Sequence, residues 1–143
     1  MFSNSYNHSV DNKGRFIMPS KYREQLDGRC CVTRGMDGNC LYIYKIEDWT
    51  DFVTRLRQLP SSKKEVRFLQ RHFLEFAETV EIDKQGRCLL PAGLREYADI
   101  TGEIKLVGMD NKIELWSMEN WSRFNEAESY DAGEIAETMD FVI

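Results

Sequence analysis

Asp11-Asn12-Lys13-Gly14-Arg15-Phe16-Ile17-Met18-Pro19-Ser20-Lys21-Tyr22-Arg23-Glu24 is stated again as Asp83-Lys84-Gln85-Gly86-Arg87-Cys88-Leu89-Leu90-Pro91-Ala92-Gly93-Leu94-Arg95-Glu96. Six of the fourteen positions are identical, namely Asp, Gly, Arg, Pro, Arg and Glu, in a fixed register 72 residues apart. The echo continues beyond the motif. Gly35-Met36-Asp37 answers to Gly108-Met109-Asp110, and Trp49 with Phe52 answers to Trp121 with Phe124. A unit this small cannot bury its apolar face alone and pairs with its own duplicate. Any surface arginine in the unit then appears twice, related by a pseudo-two-fold axis.

Working outward from the motif, Ser5–Val10 reads as a short strand and Asp11 to Gly14 as a hairpin loop. Gly14 supplies a positive φ, and the Asp11 carboxylate bonds the turn backbone. Arg15–Met18 is the return strand. Pro19 suits the first position of a short helix over 19–26, where its missing N–H would have lacked a partner anyway. Arg29–Thr33 and Cys40–Tyr44 read as a second hairpin around Asp37-Gly38-Asn39. The second copy repeats this order, with strands at 79–82 and 87–90, a short helix from Pro91, and a hairpin of 104–107 with 112–116.

Helices lie between and after the copies. Trp49, Phe52, Val53, Leu56 and Leu59 fall on one helical face, and Pro60 ends that helix. Ser62-Lys63-Lys64-Glu65 has capping-box spacing ahead of a stripe made by Val66, Leu69, Phe73 and Phe76. Ser117 can cap a third helix carrying Trp121 and Phe124. The fold class is α+β: one domain over 1–143, with repeats at 5–52 and 77–124, a helical connection at 53–76 and an acidic tail at 126–143 that reads as loosely ordered. Three helices outside a small β core leave some apolar surface for neighbouring subunits.

Hydrophobic content of 42% and charged content of 30% are ordinary for a globular protein. No apolar run approaches the roughly 20 residues of a membrane span, and no secretory leader pattern opens the chain. Cys30, Cys31, Cys40 and Cys88 sit in apolar runs without a C-x-x-C spacing, so they read as buried thiols in a reducing cytoplasm rather than disulfides or zinc ligands. His8 and His72 have no ligand partner at metal-binding spacing. No nucleophile elbow, zincin or Walker motif is present, so neither an enzyme nor a cofactor or metal site is indicated.

The net charge of −5 is unevenly spread. Residues 1–116 carry 18 basic and 17 acidic side chains, whereas 117–143 carry Arg123 against seven carboxylates. Basic residues gather in the motifs, which permits a local nucleic-acid footprint on a neutral body.

Within the motifs, Arg15 and Arg87 each follow a glycine loop. A guanidinium fork there can reach outward to guanine edges or phosphate oxygens. The alternative is structural: each arginine bonds its own Asp11 or Asp83 and pins the loop. Both can hold at once. Lys13 and Lys84 suit phosphate contact or a solvated loop, and Lys21 adds a third lysine with no basic counterpart, since Gly93 occupies its place in copy two. Asp11, Gly14, Pro19, Asp83, Gly86 and Pro91 are read as the structural frame. Arg23 and Arg95, beside Glu24 and Glu96, read as internal ion-pairing or helix-end residues.

These motifs, with Met1-Phe2, Tyr6-x-His8 and Glu114-Leu115-Trp116, resemble the MraZ family of bacterial transcriptional regulators, within the AbrB-like swapped-hairpin superfamily. The resemblance spans nearly the whole chain. It implies a small swapped-hairpin β-barrel built from two SpoVT-AbrB-like copies, and a ring-shaped homo-oligomer, an octamer or similar. It also implies binding to direct repeats in double-stranded DNA upstream of the division and cell-wall operon, usually as a repressor, in the cytoplasm at the nucleoid. Arg15, Arg87, Lys13, Lys84 and Lys21 would be the DNA-binding set. Glu75-Phe76 departs from the small Ser-Gly step that family members often carry before the second copy. The competing expectations are an assembly ring of the division machinery without specific DNA binding, and a barrel enzyme.

Overall fold

A computed structural model describes residues 1–143. In chain order the elements are β1 (Ser5–Ser9), β2 (Arg15–Ile17), α1 (Ser20–Leu26), β3 (Arg29–Arg34), β4 (Leu41–Tyr44), α2 (Ile46–Arg57) and α3 (Lys64–Leu74). The second copy follows with β5 (Glu78–Glu81), β6 (Arg87–Leu89), α4 (Ala92–Tyr97), β7 (Glu103–Gly108), β8 (Ile113–Ser117), α5 (Met118–Ala127) and α6 (Ala132–Thr138). The class is α+β, as expected.

The strand pairing differs from two self-contained hairpins. β1 does not ladder with β2; it pairs antiparallel with β7 of the other copy, from Ser5 opposite Val107 to Ser9 opposite Glu103. In the mirrored exchange, β5 pairs with β3 of copy one. The result is a six-stranded antiparallel sheet in the order β1-β7-β8-β4-β3-β5, and β2 with β6 form a separate two-stranded ribbon. Exchanging the copies reverses the sheet order onto itself, which places a pseudo-two-fold axis between β4 and β8 and through the ribbon. Strand pairing does not close into a barrel. The sheet ends at β1 and β5, and a single bridge, Ile82 to Cys88, links β5 toward the ribbon. The physical reason is length: β2 and β6 are three residues each and spend their ladder bonds on one another.

The core lies between sheet, ribbon and the short helices. Phe16 and Cys88 face each other at the centre of the ribbon's inner side and join Met18, Leu90, Leu94, Ile104, Leu106 and Leu115 in one buried cluster. A second cluster, built on Cys40, Tyr42, Tyr44, Leu56, Phe73 and Trp116, seats α2, α3 and α5 on the opposite side of the sheet. Phe73 meets Phe52 edge-on at 4.9 Å between ring centroids, which joins the two predicted helical stripes. Arg34 fastens the end of α3 by donating from Nε to the carbonyl of His72 at 2.8 Å and from Nη2 to that of Arg71 at 3.1 Å. Such donors satisfy the last carbonyls of a helix.

Several boundaries move. Pro19 and Pro91 stand just before α1 and α4 rather than inside them, and the Pro19 carbonyl accepts from the N–H groups of Tyr22 and Arg23. The Ser62 capping box does not form. α3 starts at Lys64 without a side-chain cap, because the Lys63 N–H turns back to the Pro60 carbonyl and leaves Ser62 outside the helix. Ser117 does cap α5, accepting from the Asn120 N–H at 3.0 Å. The acidic tail, expected to be loose, holds α6, whose start is capped by Asp131 accepting from the Glu134 N–H at 3.1 Å.

Candidate nucleic-acid interface

Each D-x-x-G-R loop is built by its aspartate and its glycine. In copy one the Gly14 N–H donates to the Asp11 carbonyl at 3.0 Å, and the Asp11 N–H donates to the Arg15 carbonyl at 2.8 Å. Gly14 then takes φ +87°, a left-handed value that closes a three-residue loop with a bulge. One Asp11 oxygen accepts from the N–H groups of Lys13 and Arg15, both at 2.9 Å, and the other accepts from Arg15 Nε at 3.0 Å. Copy two repeats this around Asp83, with Gln85 and Arg87 as donors, Arg87 Nε at 2.7 Å and Gly86 at φ +85°.

These bonds set the electrostatics. The backbone N–H of Arg15 above all, helped by its guanidinium and the Lys13 N–H, holds the Asp11 carboxyl below the ordinary aspartate value, outweighing the opposing effect of desolvation. Asp83 is lowered in the same way, first by the backbone N–H of Arg87. Both aspartates are therefore charged at neutral pH and engage each guanidinium through Nε alone. Neither Nη of Arg15 has a partner within the protein, while one Nη of Arg87 makes a long 3.4 Å contact with Gln85. The side chains remain 36% and 44% exposed, respectively. The structural and the outward-facing readings of these arginines coexist.

Alternation along the ribbon decides what stands beside them. Arg15 lies opposite Leu89 and Arg87 opposite Ile17, so all four project from the outer face, with Phe16 and Cys88 inward. Ile17 and Leu89 are 48% and 55% exposed. Arg15, Arg87 and Ile17 line one shallow cavity of about 240 Å³ with Asp11 and Ser9. The two copies thus bring their arginines to one face. Ile17 and Leu89 complete this face, and their spacing two residues after each arginine in a short strand is the sequence signal for it.

Lys13 and Lys84 are exposed at the tips of the two loops without ion-pair partners, beside this face. Lys21 is exposed on α1 but lines a different cavity with Met1, Ser3, Asn4 and Tyr6, apart from the arginine pair. Arg23 and Arg95 make no ion pair with Glu24 or Glu96; each reaches across the pseudo-axis beneath the other copy's loop. A Cβ on Gly14 would come within 2.4 Å of the Arg95 guanidinium, and one on Gly86 within 2.5 Å of Arg23. Arg95 Nε donates to the Leu90 carbonyl at 3.0 Å, whereas Arg23 Nε is buried without a partner. The Met18 N–H donates to the Gly86 carbonyl and the Leu90 N–H to that of Gly14, which completes the cross-bracing. Phe76 of the Glu75-Phe76 step packs on Gly93, with 3.1 Å to the position of a Cβ there, and under the Arg34 guanidinium at 4.8 Å.

Elsewhere, no group of side chains is arranged to hold a metal ion, and no helix is long and apolar enough to cross a membrane. His72 Nε2 lies 2.8 Å from the Gly35 carbonyl, a structural contact. All four cysteines are unpaired and buried; burial pushes the thiols of Cys31, Cys40 and Cys88 up to about 12.

Comparison with known proteins adds to this geometry. A family described as "MraZ protein, putative antitoxin-like" matches residues 1–72 and again 73–141, the two copies in turn. The transcriptional regulator MraZ of Lachnoclostridium phytofermentans is 48% identical over 140 residues, covering 97% of this chain and 95% of that protein. The proteins of the same name from Clostridium tetani and Acetivibrio thermocellus are 45% and 43% identical over 139 residues, each alignment covering 97% of this chain and 96% of the relative.

Proposed function

Because the chain belongs to the MraZ family, we propose that it is a sequence-specific DNA-binding transcriptional regulator working through the outer face of the β2–β6 ribbon. The observation that carries this reading is the pair of aspartate-held arginines on one exposed strand face. A two-stranded ribbon fits the major groove of B-DNA, where an arginine fork matches the O6 and N7 acceptors of guanine. Each aspartate fixes its arginine through Nε, so less side-chain freedom is lost when the Nη atoms engage a base or phosphate. Lys13 and Lys84 supply phosphate contacts beside the face, and Lys21 a more distant one. The regulators named among the relatives support the function class, and the exchange of β1 and β5 between copies supports an AbrB-like swapped-hairpin ancestry.

In this account several copies assemble into a ring, octameric or similar, that meets direct repeats upstream of the division and cell-wall operon and represses it, at the nucleoid in the cytoplasm. One nearly neutral subunit makes few phosphate contacts and binds weakly alone. Linking sites on a rigid ring gains roughly 10²–10⁴ in avidity where repeat and subunit spacings match. A gel shift with the chain's own upstream region tests the reading: wild-type protein retards it, and Arg15→Ala with Arg87→Ala does not. Equal retardation by both proteins would remove the arginines from the interface.

A further inference from the structure

We propose that α6 and the residues after it form an exchange arm that docks on the α2–α3 face of a second copy of this chain. The arm is unpartnered in its own chain. Every hydrogen bond made by residues 132–143 stays within this segment or reaches Asp131 just before it. Ile135, Met139 and Phe141 are 40%, 72% and 68% exposed, and with Ala136 and Ile143 they line a wholly apolar groove to which the body contributes no residue. Glu134, Glu137 and Asp140 are interspersed with these residues along the arm.

The receiving face has the complementary character. α3 leaves Phe68 69% and Leu74 45% exposed beside Lys64 and Arg71, whose side chains have no carboxylate partner. Residues 53–76 carry six basic and two acidic side chains, while 117–143 carry one basic and seven acidic. The helical connection is thus net basic and the tail net acidic. An apolar centre flanked by carboxylates on the arm therefore meets an apolar centre flanked by Lys64, Arg67 and Arg71 on the face, where the neighbouring carboxylate of Glu75 is already paired with Arg34. Opposed fields of this kind select partner and register. The arm leaves from α5, which packs on β7 and β8, whereas α3 packs on β3 at the far end of the sheet. A donor arm and a separate acceptor on every chain make a heterologous contact, which generates a closed ring when the rotation closes. The inference rests on the assembly part of the proposed function and is independent of the arginine ribbon.

Site-directed crosslinking in the full-length protein, without DNA, tests it. Phe68→Cys and Met139→Cys are combined in one chain; the four native cysteines are buried with raised pKa values and stay out of the reaction. A short bismaleimide is expected to give a covalent ladder of dimers and larger species on a denaturing gel, absent in either single variant. A product crosslinked within one chain, or none, overturns the proposal. Charge reversal is the second arm: Lys64→Glu with Arg71→Glu is expected to lower the sedimenting mass, and adding Glu134→Lys with Glu137→Lys to restore it. A quadruple variant that stays at the lowered mass also overturns it. Wild-type mass without the crosslink defeats the arm and leaves DNA binding standing; failed retardation with the crosslink intact does the reverse.

Discussion

Gly14→Ala and Gly86→Ala should destabilise the fold unequally, although the two glycines occupy equivalent positions in the repeats. Both have left-handed φ, +87° and +85°. An alanine there costs about 1–2 kcal/mol from the backbone alone. The new Cβ also strikes an arginine of the opposite copy, Arg95 at Gly14 and Arg23 at Gly86. These are flexible side-chain ends, so the clash itself is cheap if the arginine can move. Arg95 cannot move freely, because displacing it breaks the 3.0 Å bond from its Nε to the Leu90 carbonyl. Losing a part-buried bond from a charged donor adds about 1.5–3 kcal/mol. Arg23 Nε has no such bond to lose. Gly14→Ala is therefore expected to cost about 2.5–5 kcal/mol, summing these two effects, and Gly86→Ala about 1–2 kcal/mol. Urea unfolding at fixed protein concentration, followed by tryptophan fluorescence, gives both values. A Gly14→Ala protein within about 0.5 kcal/mol of wild type, the range of an ordinary surface change, would refute the cross-bracing. So would the reverse order of the two variants.

Other expectations follow from the same geometry. Carboxyl titration by NMR should place the Asp11 and Asp83 midpoints below the ordinary 3.8, so the clamps are present at neutral pH and are lost only as pH falls through those lowered values. Midpoints at or above 3.8 would contradict the bonding described. Glu114 is buried in β8 and desolvation raises its pKa above 4.5, against the 3.0 Å bond it accepts from Trp116 Nε1. Its ionisation therefore opposes folding as pH rises through 4.5 and beyond. Glu114→Gln, which can still accept that bond, should gain stability over wild type in thermal melts at pH 7 and lose the advantage by pH 4. An advantage unchanged at pH 4 would show that charge burial is not the cause.

Much of the fold could be read locally. Strand and helix positions follow from turn chemistry and apolar spacing, and the Asp11 and Asp83 loops formed with the bonds their residues dictate. The pairing of β1 could not be read that way. Alternation tells which face of a strand is buried but not whose edge it joins, and a duplicated chain offers two equivalent edges. The same exchange explains Arg23 and Arg95: their glutamate neighbours suggested local ion pairs, while their actual contacts are loops 63 and 81 residues away. In the tail, composition rich in carboxylates says nothing of a local cap, and it is the Asp131 carboxylate accepting from the Glu134 N–H that starts α6. At Ser62 the cap spacing was present, yet the turn at Pro60 withdrew the residue from the helix end.

The most direct test of the central claim is a competition titration, by fluorescence anisotropy, of the chain's upstream duplex against a scrambled duplex of the same composition. Wild-type protein is expected to prefer the upstream duplex by roughly 10³-fold or more, the lower end for specific DNA recognition. Arg15→Ala combined with Arg87→Ala should abolish that preference while the protein keeps its melting temperature. A double variant that discriminates as well as wild type would contradict the central claim, as would a wild-type protein that holds both duplexes equally.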